Sequence, residues 1–98
     1  MPRETFGVPQ FEELLETEGG ICVRVMKLEK IGYMIPQHSH DFGHTTLIAN
    51  GAAALFVDGV FQKDLYAPAI QYVRPHVDHV YQALMDNTIL ACISRQEK

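Results

Sequence analysis

Gly32 to Gly51 reads GYMIPQHSHDFGHTTLIANG and holds three of the chain's five histidines, His38, His40 and His44. In an extended strand successive side chains alternate faces, so His38 and His40 point the same way. Gly43 stands where the bend from His40 to His44 must turn, and glycine tolerates such a bend. His44 then returns to the same side from the next strand. Three imidazoles converging on one side of a sheet form a candidate transition-metal site.

The spacing resembles the first motif of the cupin superfamily, in which glycine is followed by His-x-His, a further ligand and a closing glycine. Gly32, His38, His40, His44 and Gly51 occupy those positions without a gap. His44 stands where the family usually has Glu. The second cupin motif is matched in part by Arg74-Pro75-His76-Val77-Asp78-His79. His79 takes the ligand position, His76 replaces the motif's glycine, Arg74 its proline and Ala83 its asparagine. The resemblance runs from about Lys30 to the C-terminus. It implies a jelly-roll β-barrel with a divalent metal on His38, His40, His44 and His79. It also implies an activity range of dioxygenases, sugar isomerases, lyases and decarboxylase-like enzymes, alongside non-catalytic sensor modules, and a homodimer built through N-terminal strands.

The rest of the chain agrees with one all-β domain. Ninety-eight residues suffice for a single modest core. A net charge of -4 argues against a nucleic-acid partner, which usually meets a basic surface. No apolar run approaches a membrane span, and MPRETFGVPQF carries no signal-peptide hydrophobic region, so a cytoplasmic chain is expected. Cys22 and Cys92, far apart and without CxxC spacing, read as free thiols in apolar strands.

Residues 1–20 read as an N-terminal arm or short helix, because Phe11, Leu14 and Leu15 have helical spacing before Gly19-Gly20. Residues 21–98 read as the barrel. Period two begins at Ile21, giving a first strand to Glu29 that is apolar on both faces. Strands follow over Lys30–His40, bent at Pro36, and over Thr45–Ala49, Ala52–Val57, Val60–Tyr66, Ala69–Val73, Asp78–Leu84 and Thr88–Ser94. Asn50-Gly51 and Asp58-Gly59 are tight-turn dipeptides.

A single histidine on a strand is usually a half-buried polar residue. Here all five lie between positions 38 and 79, and four fall on ligand positions of one pattern. Imidazoles crowded into a barrel are costly to bury, whereas a metal satisfies their lone pairs together. Such a site suits Fe, Ni, Zn or Cu, with Mn disfavoured for want of oxygen donors. Four neutral ligands leave the ion's charge uncompensated and favour an anionic substrate.

By parity, Thr46 and Ile48 line the pocket with His44, and Met34 and Pro36 line it with His38. Tyr81 shares the parity of His79 and is a candidate acid/base. His76, across the turn, is the other candidate, and a rim position is its simpler reading. Arg74 and Gln37 alternate away, with Arg74 and Arg24 in reach of an anionic ligand at the rim. No Asp or Glu takes an assignable inward position, which favours oxidation over isomerisation. The expected activity is therefore a metal-dependent, dioxygenase-like enzyme acting on a small oxygen-rich substrate. A metal- or ligand-binding module and a metal-dependent isomerase or lyase on a sugar-like or keto substrate are the alternatives.

Overall fold

The computed structural model describes residues 11–16, 19–38 and 43–95, with side chains over 19–35 and 43–95. The period-two segments become nine strands: β1 (Phe11–Glu16), β2 (Ile21–Leu28), β3 (Met34–His38), β4 (His44–Asn50), β5 (Ala52–Val57), β6 (Val60–Tyr66), β7 (Ala69–Val73), β8 (His79–Ala83) and β9 (Thr88–Arg95). They form two antiparallel sheets, ordered β1-β2-β9-β4-β7 and β3-β8-β5-β6. From β3 onward the chain changes sheet at every connection except β5–β6, the jelly-roll solution that lets two sheets enclose one core. Among the described residues there is no helix, and so none long and apolar enough to cross a membrane.

The helical turn expected around Phe11 to Leu15 is not there. Residues Phe11–Glu16 are β1, paired with β2 from Phe11↔Lys27 to Glu16↔Cys22. Six residues are too few for a helix to persist alone, and an open neighbouring strand offers every backbone group a partner. Gly20, at φ 83, helps to turn the chain from β1 into β2.

The two tight-turn dipeptides do different jobs. Asp58 and Gly59 both have positive φ, 52 and 81, and join Val57 to its partner Val60 as a two-residue hairpin, the geometry that matches strand twist. At Asn50-Gly51 only Gly51 is left-handed, at φ 82. There the chain leaves one sheet for the other, since β4 and β5 do not pair. Gly51 packs against Thr88, whose hydroxyl accepts from Ala52 N at 3.4 Å and donates to Met85 O at 2.9 Å. Gly32, at φ 93, donates to Ala83 O and accepts from Gln82 Nε2. Both glycines of the first motif therefore supply backbone conformations that other residues resist.

The core lies between the sheets. Met26, Ile48 and Leu90 line up across β2, β9 and β4, facing Ile35, Leu55 and Tyr81 across β3, β8 and β5. The outer face of the five-stranded sheet also carries two largely apolar rows. Val23, Ile93, Thr45 and Tyr72 form one row over four strands, and Val25, Ala91, Leu47 and Ile70 the next. Ile70 and Tyr72 are largely exposed there.

Glycine-to-alanine substitution separates strain from collision. Gly32→Ala meets no atom within 4 Å and should cost about 1–2 kcal/mol for its left-handed backbone alone. Gly51→Ala should cost clearly more, because its Cβ also meets Thr88 Oγ1 at 2.5 Å. Urea unfolding of both variants measures the difference, and equal losses would contradict this account.

Candidate functional site

His44 and His79 begin their strands and reach the interior from opposite sheets. His44 pairs with Val73 on the five-stranded sheet. His79 lies opposite Val57 on one side and His38 on the other, in the four-stranded sheet. Both imidazoles are buried, 4% and 1% exposed, with ring centroids 5.0 Å apart and planes tilted by 42°.

The ring of His79 is fixed from behind. Its Nδ1 lies 3.0 Å from the Val77 carbonyl. A carbonyl only accepts, so Nδ1 carries the hydrogen and Nε2 carries the lone pair. This is the supporting contact that metal-bound imidazoles usually have. The turn that delivers Val77 passes through His76, which is exposed and left-handed at φ 62. His76 thus adopts the backbone conformation for which glycine is favoured at that motif position. It lies on the solvent-facing turn between β7 and β8, outside the ring cluster of His44, His79 and Tyr81.

Tyr81 is fully buried, opposite Ile35 and Leu55, with its ring edge-on to His79 at 5.9 Å. Burial pushes its hydroxyl up to about 12, the nearby Thr46 hydroxyl offsetting part of the rise and the Cys92 thiol adding to it. Thr46 does not meet full hydrogen-bond geometry to Tyr81, whose oxygen has no such partner among the described residues. Thr46 Oγ1 instead lies 3.7 Å from Cys92 Sγ. Cys22 and Cys92 are both free thiols.

Of the four expected ligands, His44 and His79 come together as side chains. His38 is placed by its backbone opposite His79, its side chain lying outside the described residues, as does the whole of His40. Among the described residues the cluster is therefore a pair. Its chemistry fits a transition metal: two buried imidazoles from facing sheets, one with its outer nitrogen already engaged.

The inward residue of β3 is corrected. Met34 pairs with Gln82 and Ile35 with Tyr81, and the register then shifts before His38 meets His79. Ile35, 5% exposed, lines the interior and Met34 does not. Pro36 signalled a bend, but simple alternation carries no sign that a bulge there reverses parity. The bend from His40 expected at Gly43 falls on residues outside the described ones, and a Cβ at 43 would overlap the Tyr72 hydroxyl and ring, so glycine is required there for close packing.

Solved structures settle the architecture. A cupin 2 domain-containing protein from Halorhodospira halophila superposes with TM-score 0.75 and 18% identity, over 89% of this chain and 64% of its own. A cupin superfamily protein from Desulfitobacterium hafniense gives TM-score 0.77 and 14% identity, over 99% and 90%. This chain has the cupin fold. KdgF from Halomonas sp. is a further match, with TM-score 0.74 and 12% identity over 89% and 80%. The chain thus spans just under two thirds of the Halorhodospira cupin. No family model matches the chain, and neither does any curated protein.

The tautomer of His79 is directly measurable. Long-range proton–nitrogen NMR of the metal-free protein should place the hydrogen of His79 on Nδ1. A hydrogen on Nε2 would contradict the Val77 contact.

Proposed function

We propose that this cupin-fold chain is a metal-dependent enzyme for small oxygen-rich molecules, working as an oxygenase of the dioxygenase type. The observation that carries the reading is the buried His44–His79 pair beside Tyr81. The proposed ligand set is His38, His40, His44 and His79, holding Fe, Ni, Zn or Cu in preference to Mn. When bound, such an ion supplies Lewis acidity and, for Fe or Cu, redox chemistry with dioxygen.

The chain's own residues supply the rest. The Val77 carbonyl orients His79. Tyr81 keeps its proton, with its hydroxyl pushed up to about 12, and can donate a hydrogen bond to a substrate oxygen. Ile35, Ile48 and Leu55 form an apolar wall that excludes bulk water and strengthens such polar contacts. The buried polar side chains among the described residues are His44, Thr46, His79 and Thr88. With no carboxylate among these as a general base, oxidation is better supported than isomerisation or elimination. His76, on the exposed turn, is assigned to proton exchange with solvent at the rim.

Reloading metal-stripped protein with Fe(II), Ni(II), Cu(II) and Zn(II), and offering small diketones and keto-sugars, tests this reading. Oxygen uptake is expected with at least one ion, falling about 10-fold in Tyr81→Phe through loss of one hydrogen bond. Substrate binding without turnover would mean a binding module. Turnover that ignores oxygen would mean an isomerase or lyase.

We also propose a homodimer that buries the outer rows of the five-stranded sheet, from Val23 and Val25 to Tyr72 and Ile70. Apolar rows crossing four strands are more than scattered surface residues. Sedimentation at micromolar concentration should give twice the chain mass and revert to the monomer in Val23→Glu/Leu47→Glu. A monomeric wild type would overturn the proposal.

A further inference from the structure

The end of β4 that carries His44 is set by β7. His44 lies opposite Val73 and Thr45 opposite Tyr72, whereas the register of β4 with β9 begins one residue later, at Thr45↔Ile93. Cross-strand partners share a face, so Thr45 and Tyr72 lie together on the outer side of the sheet. Gly43, two residues before Thr45, continues that side. His44 stands between them and points the opposite way, into the barrel, where it is buried.

Tyr72 reaches across this strand end. The residue is 56% exposed, yet its phenol end is held against the chain. A Cβ at Gly43 would lie 2.7 Å from Tyr72 Cζ and 3.1 Å from Cε1, with the hydroxyl oxygen nearer still. The phenol end therefore packs directly on the Gly43 backbone. Gly43 is the diagonal neighbour of Tyr72, two residues before its direct partner Thr45, and diagonal positions are within reach of aromatic side chains. An aromatic ring laid over a cross-strand glycine helps to pin the register there. On the other side of the same backbone, the His44 imidazole meets that of His79 at 5.0 Å with a tilt of 42°.

We infer that Tyr72 is a positioning residue for His44: its phenol end, packed on Gly43 from outside, holds the end of β4 on β7 and so fixes where the His44 imidazole stands relative to His79. This deepens the proposed function and takes its chemical consequence from the reading of His44 as a metal ligand. Gly43 and His44 share one planar peptide, so movement of Gly43 passes directly into the Cα–Cβ direction of His44. Strand ends open more readily than strand centres, and a ligand serves best when its support holds it in place before the ion arrives. The same packing accounts for a glycine beside this histidine, since any side chain at 43 would displace the tyrosine.

Two readouts test the inference on wild type, Tyr72→Thr, Tyr72→Phe and Ile70→Thr. Threonine suits a strand but cannot reach Gly43, and phenylalanine keeps the ring. Ile70 is the matched control, since it lies on β7 and the same outer face, is 68% exposed and pairs with Leu47, away from His44. In metal-free protein, carbon–proton NMR of the imidazoles should show the His44 ring signals shifted or broadened in Tyr72→Thr. They should stay near their wild-type positions in Tyr72→Phe and Ile70→Thr. In zinc titration against a competing chelator, Tyr72→Thr should lose about 10-fold of affinity, the scale on which residues supporting a ligand act. Tyr72→Phe and Ile70→Thr should bind zinc as wild type does. Where Tyr72→Thr does not fold by circular dichroism, Tyr72→Leu, which keeps apolar bulk but no ring over Gly43, decides by the same criteria. His44 signals unmoved in Tyr72→Thr, or moved equally in Ile70→Thr, would overturn the inference. Undiminished zinc affinity in Tyr72→Thr would overturn it too and leave the metal reading standing. A wild type that takes up no zinc, with His44 signals that move in Tyr72→Thr alone, would sink the metal reading and uphold the positioning.

Discussion

Antiparallel register between β3 and β8 governs what this barrel can do. Ile35 stands opposite Tyr81, and the shift that follows sets His38 opposite His79. Without the bulge, strict alternation would give Ile35 and His38 opposite faces, because side chains repeat every two residues. The extra residue around Pro36 restores the parity, so an apolar wall position and a histidine position follow each other on one side. On the facing sheet β4 needs no such device. His44, Thr46 and Ile48 alternate inward without interruption and are all buried.

That geometry explains which parts of the fold were legible in the sequence. Asp58-Gly59 announced a hairpin because two adjacent residues had to accept positive φ, and they do. Gly32 and Gly51 were legible as motif positions, and their left-handed backbones give the physical reason. Asn50-Gly51 looked like a second hairpin, but dipeptide chemistry specifies a bend and not the sheet that the next strand joins. The helical spacing of Phe11, Leu14 and Leu15 was a local signal overruled by pairing with β2. Parity placed Thr46, Ile48, His79 and Tyr81 correctly inside and failed at Met34, on the far side of the bulge.

Energetically, the interior is divided between an apolar floor and a polar wall. Met26, Leu28, Ile48, Leu55 and Leu90 supply burial, the main source of stability in so small a domain. Against it, His44, His79, Tyr81 and Thr46 keep polar groups out of water, an arrangement that costs free energy unless a ligand or partner compensates. Proteins retain such groups where chemistry needs them. The contact between Val77 and His79 is one such compensation built into the fold. A bound ion at the imidazoles is the compensation that the proposed function requires.

Metal content by mass spectrometry, after stripping and reloading, tests that claim most directly in wild type, His44→Ala and His79→Ala, with circular dichroism confirming each fold. The account predicts near-stoichiometric metal in the wild type and its loss in both variants. Metal retained in both variants, or absent from a folded wild type, would contradict it.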